Sequence, residues 1–316
     1  MTINECVSFL RENDNYLIIT HIRPDGDTLG CAAALCQALR ALGKTAHINA
    51  DPHSTPRYAP YVSAYYSPAA FTPDTIVTVD MATLRMYPDS AVQFRERVAL
   101  SIDHHKSNSG YAENTLLDAE CAACGELVLR LIEASGAPVT SEIATALYVA
   151  VATDTGCFSY DNTTAQTLLA AARLTDFGAD IRTLNRELFR SRSRARVAVE
   201  GIVYSTMTYH FGGRAAALIL TDAQLLPLGA DEDDLENIAA LPVSISGVEV
   251  GVTIRDLPEP GRCKVSLRSS GLDCNALAQR FGGGGHTSAA GFSMTAPPEE
   301  IKSRILAAIE ELLGSA

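Results

Sequence analysis

Apolar residues in the first half of the chain fall into two alternating textures. Short β-rich runs, YLIIT at 16–20, TIVTVD at 75–80 and VALSI at 98–102, have the length of strands and almost no polar interruption, as buried strands do. Longer Ala- and Leu-rich stretches separate and follow them. Residues 29–42 read as a buried helix that stops at Gly43, with a further strand at 45–49. Helices are expected at 125–134, 141–152 and 164–177. Strands alternating with helices predict a parallel sheet with helices on both faces. Ligands of such sheets bind beyond the carboxyl ends of the strands. His21, Asp80 and Asp103 each stand at or just past such an end, so the pattern predicts that they meet on one edge.

The texture then changes. Residues 181–200 read as a charged helix carrying Arg182, Arg186, Arg190, Arg192, Arg194 and Arg196, a solvated face with a substrate-facing role as the alternative. Strands are expected at 204–208, 215–221, 248–255 and 263–269, with Pro258 to Gly261 as a turn, and helices at 231–240, 274–281 and 298–313. The expected organisation is an α/β parallel-sheet domain at 1–180, a helical linker at 181–203, and a smaller mixed α/β domain at 204–316.

Charge and cysteine content narrow the partners. A formal net charge of −12 argues against a long nucleic-acid duplex, whose binding needs a basic face. A small phosphorylated substrate remains compatible, because bound cations reverse a local field. The eight cysteines lack the paired spacings of a disulfide framework, and Cys121 and Cys124 have no second pair to complete a zinc site. With no signal-peptide pattern and no apolar run near the roughly 18 residues of a membrane span, the expectation is a soluble, cytoplasmic protein without a membrane partner. His47, His53 and His210 fit no motif.

Candidate chemistry begins at His21-Ile-Arg-Pro-Asp25-Gly-Asp27. An imidazole and two carboxylates within seven residues repel one another or lose hydration unless a cation neutralises them. The competing account is an Asp-Gly turn that caps the helix starting near Thr28. Asp80 closes the second apolar run, Asp103-His104-His105 closes the third, and Asp154 ends an apolar helix in Thr-Asp-Thr-Gly. In the second half, Phe281 leads into four glycines and His286, a backbone able to approach a ligand closely.

The ordered set H-x-x-P-D-G-D, strand-D, D-H-H and T-D-T-G-x-F resembles the DHH phosphoesterase superfamily. Ser266-Leu-Arg268-Ser269 and Gly282 to His286 are similar to the DHH-associated C-terminal domain, so the resemblance covers nearly the whole chain. It implies one metal held by His21, Asp25 and Asp80, and a second held by Asp27, Asp80, His104 and Asp154. Asp103 would orient a neighbouring group, and His105 would contact the scissile phosphate. Arg268, Ser269, Gly283, Gly284, Gly285 and His286 would bind the nucleotide portion across a cleft from the metals. The expected cofactor is a pair of divalent ions, Mn²⁺ first and Mg²⁺ second.

Within the superfamily, the length leaves no room for an added nucleic-acid-binding module. The expected substrates are therefore oligoribonucleotides of about two to five residues, cut to mononucleotides, and 3′-phosphoadenosine 5′-phosphate, cut to AMP. Linear or cyclic dinucleotides are the alternative. Pyrophosphate or polyphosphate hydrolysis and non-catalytic nucleotide binding are more distant ones. The resemblance also suggests a homodimer through the first domain.

Overall fold

The computed structural model describes residues 1–232 and 234–314. The chain divides into two units, Met1–Ser191 and Arg192–Ala316.

The first unit contains α1 (Ile3–Glu12), β1 (Tyr16–Ile19), α2 (Gly26–Ala41), β2 (Ala46–Ile48), α3 (Ala59–Val62), β3 (Thr75–Val79), β4 (Val98–Asp103), β5 (Asn114–Leu117), α4 (Cys124–Ser135), α5 (Ser141–Asp154), α6 (Ala165–Asp176) and α7 (Ile181–Asn185). Its five strands run parallel in the order β2-β1-β3-β4-β5. Ile19 pairs with Thr78 and Val79 with Ile102, so the central strands end nearly level. The chain leaves β1 towards β2 on one side and returns to β3 on the other. This reversal opens a crevice at the carboxyl edge between β1 and β3.

Alternate strand residues face two different cores. Tyr16, Ile18, Val77, Val79, Leu100 and Ile102 pack with the helices in the main core. Leu17, Ile19, Ile76 and Val98 pack with Met81, Tyr87 and Ala91 in a smaller one. Helices were expected on both faces, yet the smaller core is covered by 3₁₀ turns at Leu84–Met86 and Asp89–Arg97. Pro88 and the polar run after it carry no apolar stripe of helical period. The pattern reading also passed over α1 and β5. For α1 the signal was present, because Thr2 and Glu5 form a reciprocal capping box.

The second unit contains α8 (Arg194–Thr206), β6 (Thr208–His210), β7 (Ala215–Leu220), α9 (Asp222–Leu225), β8 (Val250–Asp256), β9 (Arg262–Ser269), α10 (Cys274–Gln279), β10 (Gly284–Gly285), β11 (Ala289–Thr295) and α11 (Pro298–Gly314). Its sheet runs β10-β11-β9-β8-β7-β6, with β7 and β8 parallel and the other pairs antiparallel. The period of two places Ala215 and Ala217 in a core with Leu277, Ile301 and Ile305, and Ala216, Leu218 and Leu220 in another with Val199 and Val203.

Three expectations in this half change. The arginine-rich stretch is not one helix: α7 passes into a π-helical turn, Arg186–Arg190, and breaks before Ser193, whose hydroxyl accepts the Arg196 N–H at 2.8 Å and starts α8. The helix α8 runs to Thr206, so the strand expected at 204–208 begins only at Thr208. In the helix expected at 231–240, residue 233 lies outside the described residues. The remainder forms turns and a 3₁₀ turn at Ile238–Ala240, because Asn237 takes a left-handed φ of 57°. Among the described residues no helix is long and apolar enough to cross a membrane.

Candidate metal centre

Three loops at the carboxyl edge of the first sheet and the end of α5 bring their polar residues together. The loop after β1 supplies His21 and Asp25, and the first turn of α2 supplies Asp27. Asp25 is the N-cap of α2, its Oδ1 accepting the N–H groups of Asp27 at 3.0 Å and Thr28 at 3.2 Å. The capping account of this loop is therefore correct as far as it goes. It does not account for His21, whose Nε2 lies 3.6 Å from Asp25 Oδ1 and 3.8 Å from Asp80 Oδ2.

Asp27 is 1% exposed and does a second structural job. Its Oδ2 accepts the Cys124 N–H at 2.7 Å, and its Oδ1 accepts the Gly125 N–H at 3.0 Å and the Cys31 thiol at 3.2 Å. Ala123, at the N-cap of α4, has no side chain that could do this. A carboxylate from α2 thus caps α4, where the helix dipole favours negative charge. Glycines permit the close approach: a Cβ on Gly125 would lie 2.8 Å from Ala150 Cβ, and one on Gly30 2.3 Å from Ala146 O. With α2 against α5 in this way, the first turn of α2 meets Asp154 at the end of α5.

Asp80 follows β3 with a left-handed φ of 55° and is 3% exposed. Its backbone N–H donates to Ile102 O at 2.9 Å, while its Oδ1 has no hydrogen-bond partner. His104 Nε2 approaches that oxygen at 3.3 Å, and lies 3.7 Å from Asp154 Oδ2 and 3.8 Å from Asp27 Oδ2. The opposite nitrogen, Nδ1, sits 3.1 Å from Cys121 O. A carbonyl can only accept, so Nδ1 donates and Nε2 is the nitrogen turned to the carboxylates.

Asp103 is fully buried and fully engaged. Its Oδ1 accepts His105 Nδ1 at 2.7 Å and the N–H groups of His104 and His105, and its Oδ2 accepts Asn108 Nδ2 at 2.6 Å. No lone pair is left well placed for an ion, so Asp103 orients the His-His pair. His105, with a side chain 37% exposed, keeps Nε2 on the side away from Asp103.

Three groups could each hold a metal ion: His21, Asp25 and Asp80; Asp27, His104 and Asp154; and Asp80, His104 and His105. Within each, donor atoms lie within 4.8 Å of one another. The charges are unbalanced. Burial and the neighbouring charges of Asp80 and Asp154 raise the Asp27 carboxyl well above its usual range. Burial lifts Asp154 to about 6, with Asp80 and Asp25 adding to this against the pull of His104. Burial opposes a charged His104, but the close approach of the Asp80 carboxylate and the charges of Asp27 and Asp80 carry it to about 10. The same opposition at His21, won by Asp25 and then Asp80, carries it to about 9. Oxygen and imidazole donors, an unpartnered buried carboxylate oxygen and surplus negative charge fit hard or borderline divalent cations.

Sequence reasoning missed the Cys124 and Gly125 amides, Cys121 O and Asn108. Backbone groups carry no residue signature, and only Asn108 was open to notice.

In the second unit, Gly283 and Gly285 leave no room for side chains. A Cβ on Gly283 would lie 2.3 Å from Gly291 O, and one on Gly285 2.5 Å from Ala289 O. Asn275 Oδ1 accepts the Gly285 N–H at 3.1 Å, and His286 is exposed. Ser269, Gly285 and His286 line an open depression of about 670 Å³ with Ser270, Asn275 and Ser288. The Ser269 hydroxyl is already committed: it donates to Glu249 O at 2.7 Å and accepts the Leu272 N–H at 2.6 Å. Arg268 is not among the residues lining the depression; its guanidinium donates to Leu267 O at 2.9 Å.

Comparison with known proteins follows the same division. Residues 15–151 match the DHH family, N-terminal domain, and residues 217–315 match the DHHA1 domain. The bifunctional oligoribonuclease and PAP phosphatase NrnA of Thermus thermophilus is 35% identical over 304 residues, covering 95% of this chain and 90% of its own. The protein of the same name from Bacillus subtilis is 26% identical, covering 95% of each chain. A crystal structure of an exopolyphosphatase-related protein from Bacteroides fragilis superimposes with a TM-score of 0.85 at 25% identity, covering 99% of this chain and 97% of that one. Sheet-edge histidines and aspartates, the glycine-rich second unit and end-to-end likeness to these relatives agree: the chain belongs to the DHH family of phosphoesterases and carries a DHHA1 domain.

Proposed function

We propose that this chain is a two-metal hydrolase that cuts short oligoribonucleotides to mononucleotides and 3′-phosphoadenosine 5′-phosphate to AMP. One observation carries the two-metal part: Asp80 is shared by the His21–Asp25 group and the His104–His105 group, with one buried oxygen lacking a hydrogen bond. The substrate class follows from likeness to the NrnA proteins along nearly the whole chain.

In this reading His21, Asp25 and Asp80 hold one ion, and Asp27, Asp80, His104 and Asp154 hold the other. A bound pair would lower the pKa of the attacking water and neutralise the charge on the phosphoryl group. Asp103 keeps His105 Nδ1 as the donor, so Nε2 is the atom free to hydrogen-bond the phosphoryl or leaving oxygen. Arg268, the glycines at 283–285 and His286 bind the nucleotide, with Asn275 fixing the Gly285 amide. Mn²⁺ is the preferred ion, with Mg²⁺ as the substitute. The eight free cysteines support a reducing, cytoplasmic setting.

The test is hydrolysis of pApA, pAp and pyrophosphate side by side, with Mn²⁺ and with a chelator. Metal-dependent release of AMP from both nucleotides, with pyrophosphate untouched, is the expected result. Turnover of pyrophosphate alone would overturn the substrate, and silence on all three would favour a nucleotide-binding protein without catalysis.

A further inference from the structure

Just past Asp154 the backbone adopts a costly shape. Gly156, Cys157 and Phe158 have consecutive φ values of 55°, 56° and 65°. A left-handed residue with a Cβ costs roughly 1–2 kcal/mol, and runs of them are rare. Here the turn is held from both sides. Cys157 N–H donates to Ala152 O at 2.7 Å, Ser159 N–H to Thr155 O at 2.9 Å and Tyr160 N–H to Thr155 O at 3.1 Å. Asn162 Nδ2 then ties the segment back, donating to Asp154 O and to Ala122 O, each at 3.1 Å.

The turn sends its two aromatic residues in different directions. Phe158 goes inward, with its ring centroid 5.9 Å from that of Tyr148. Tyr160 goes outward and is 56% exposed. Its ring packs on Gly156, where a Cβ would come within 2.3 Å of Tyr160 Cε1. Among the described residues its hydroxyl makes no hydrogen bond. Strain, a glycine and an asparagine clamp therefore fix an aromatic ring in water, close in sequence and in space to a residue of the metal centre. Core packing does not require this.

We propose that Tyr160 is a stacking platform for a nucleobase of the substrate beside the phosphate held at the metal centre. The proposal rests on the phosphoesterase reading and adds a specificity element to it. Stacking on an aromatic face contributes about 1–3 kcal/mol per base and accepts any base. Tyr160 would thus favour substrates that carry a base at that position without selecting its identity. It touches no reacting atom and acts by positioning.

The chain has no tryptophan, so Tyr160→Trp introduces a single indole reporter. Saturable quenching of its fluorescence by AMP, with none by ribose 5-phosphate, is expected; no difference between the two would overturn the proposal. In kinetics with pApA, Tyr160→Ala should raise KM about 5- to 150-fold, the stacking range expressed as a ratio, and Tyr160→Phe should restore it. On the matching dinucleotide with abasic riboses, Tyr160→Ala and the unsubstituted protein should have equal kcat/KM. An equal fall on both substrates would assign Tyr160 a purely structural role and sink the idea. Failure of the unsubstituted protein to cleave pApA would instead refute the phosphoesterase reading, while selective quenching by AMP would still support the platform.

Discussion

Asp80 and Asp27 are both buried carboxylates of the candidate metal centre, but their effects on the fold have opposite signs. Asp80 combines a left-handed backbone, costing about 1–3 kcal/mol, with a buried oxygen that no donor satisfies. Asp80→Asn should therefore abolish turnover yet melt above the unsubstituted protein in chelator. With Mn²⁺ present the order should reverse, because an ion at 100 times its Kd adds about 2.7 kcal/mol to the protein that binds it. Asp80→Gly should exceed Asp80→Ala in urea stability by about 1 kcal/mol, since glycine accepts the left-handed conformation; equal values would speak against that strain. Asp27 accepts two backbone N–H groups and a thiol. Asp27→Ala should cost about 1–3 kcal/mol even without metal, read by the same unfolding experiment. The side chains gathered at the sheet edge were legible because each occupies a named motif at a strand or helix end. The capping role of Asp27 was not, because its partners are amides 97 and 98 residues further along.

At the scale of elements, the contact between α2 and α5 sets the spacing of the centre. Gly30→Ala would drive a methyl group into Ala146 O and part the helices, destabilising the protein by about 1–3 kcal/mol. Because Asp27 and Asp154 stand at adjoining ends of these helices, Mn²⁺ affinity should fall as well. Isothermal titration with Mn²⁺ checks this, and unchanged affinity would show that the two ends are not coupled through the packing. The buried strands and long helices were readable from apolar runs, since their side chains meet cores on a regular period. Harder to read were elements made by local backbone events. The break between α7 and α8 depends on the Ser193 cap, the loss of helix near 237 depends on a left-handed asparagine, and one face of the first sheet is closed by 3₁₀ turns.

At the scale of the molecule, each unit has its own apolar core, so the proposed metal-binding and nucleotide-binding roles should be separable by mutation. Arg268→Ala should raise KM for pApA while Mn²⁺ binding, followed by titration calorimetry, stays unchanged; loss of metal would mean that the roles are wrongly divided. The cap that Asp27 places on α4 has a consequence for descent. A lineage that abandoned hydrolysis would still be penalised for losing Asp27, because the helix would lose its anchor, whereas shedding Asp80 would relieve strain and uncompensated charge. Drift should therefore erase Asp80 early and Asp27 late. Among distant cousins, a surviving aspartate at the second motif is a better sign of retained chemistry than an intact D-G-D.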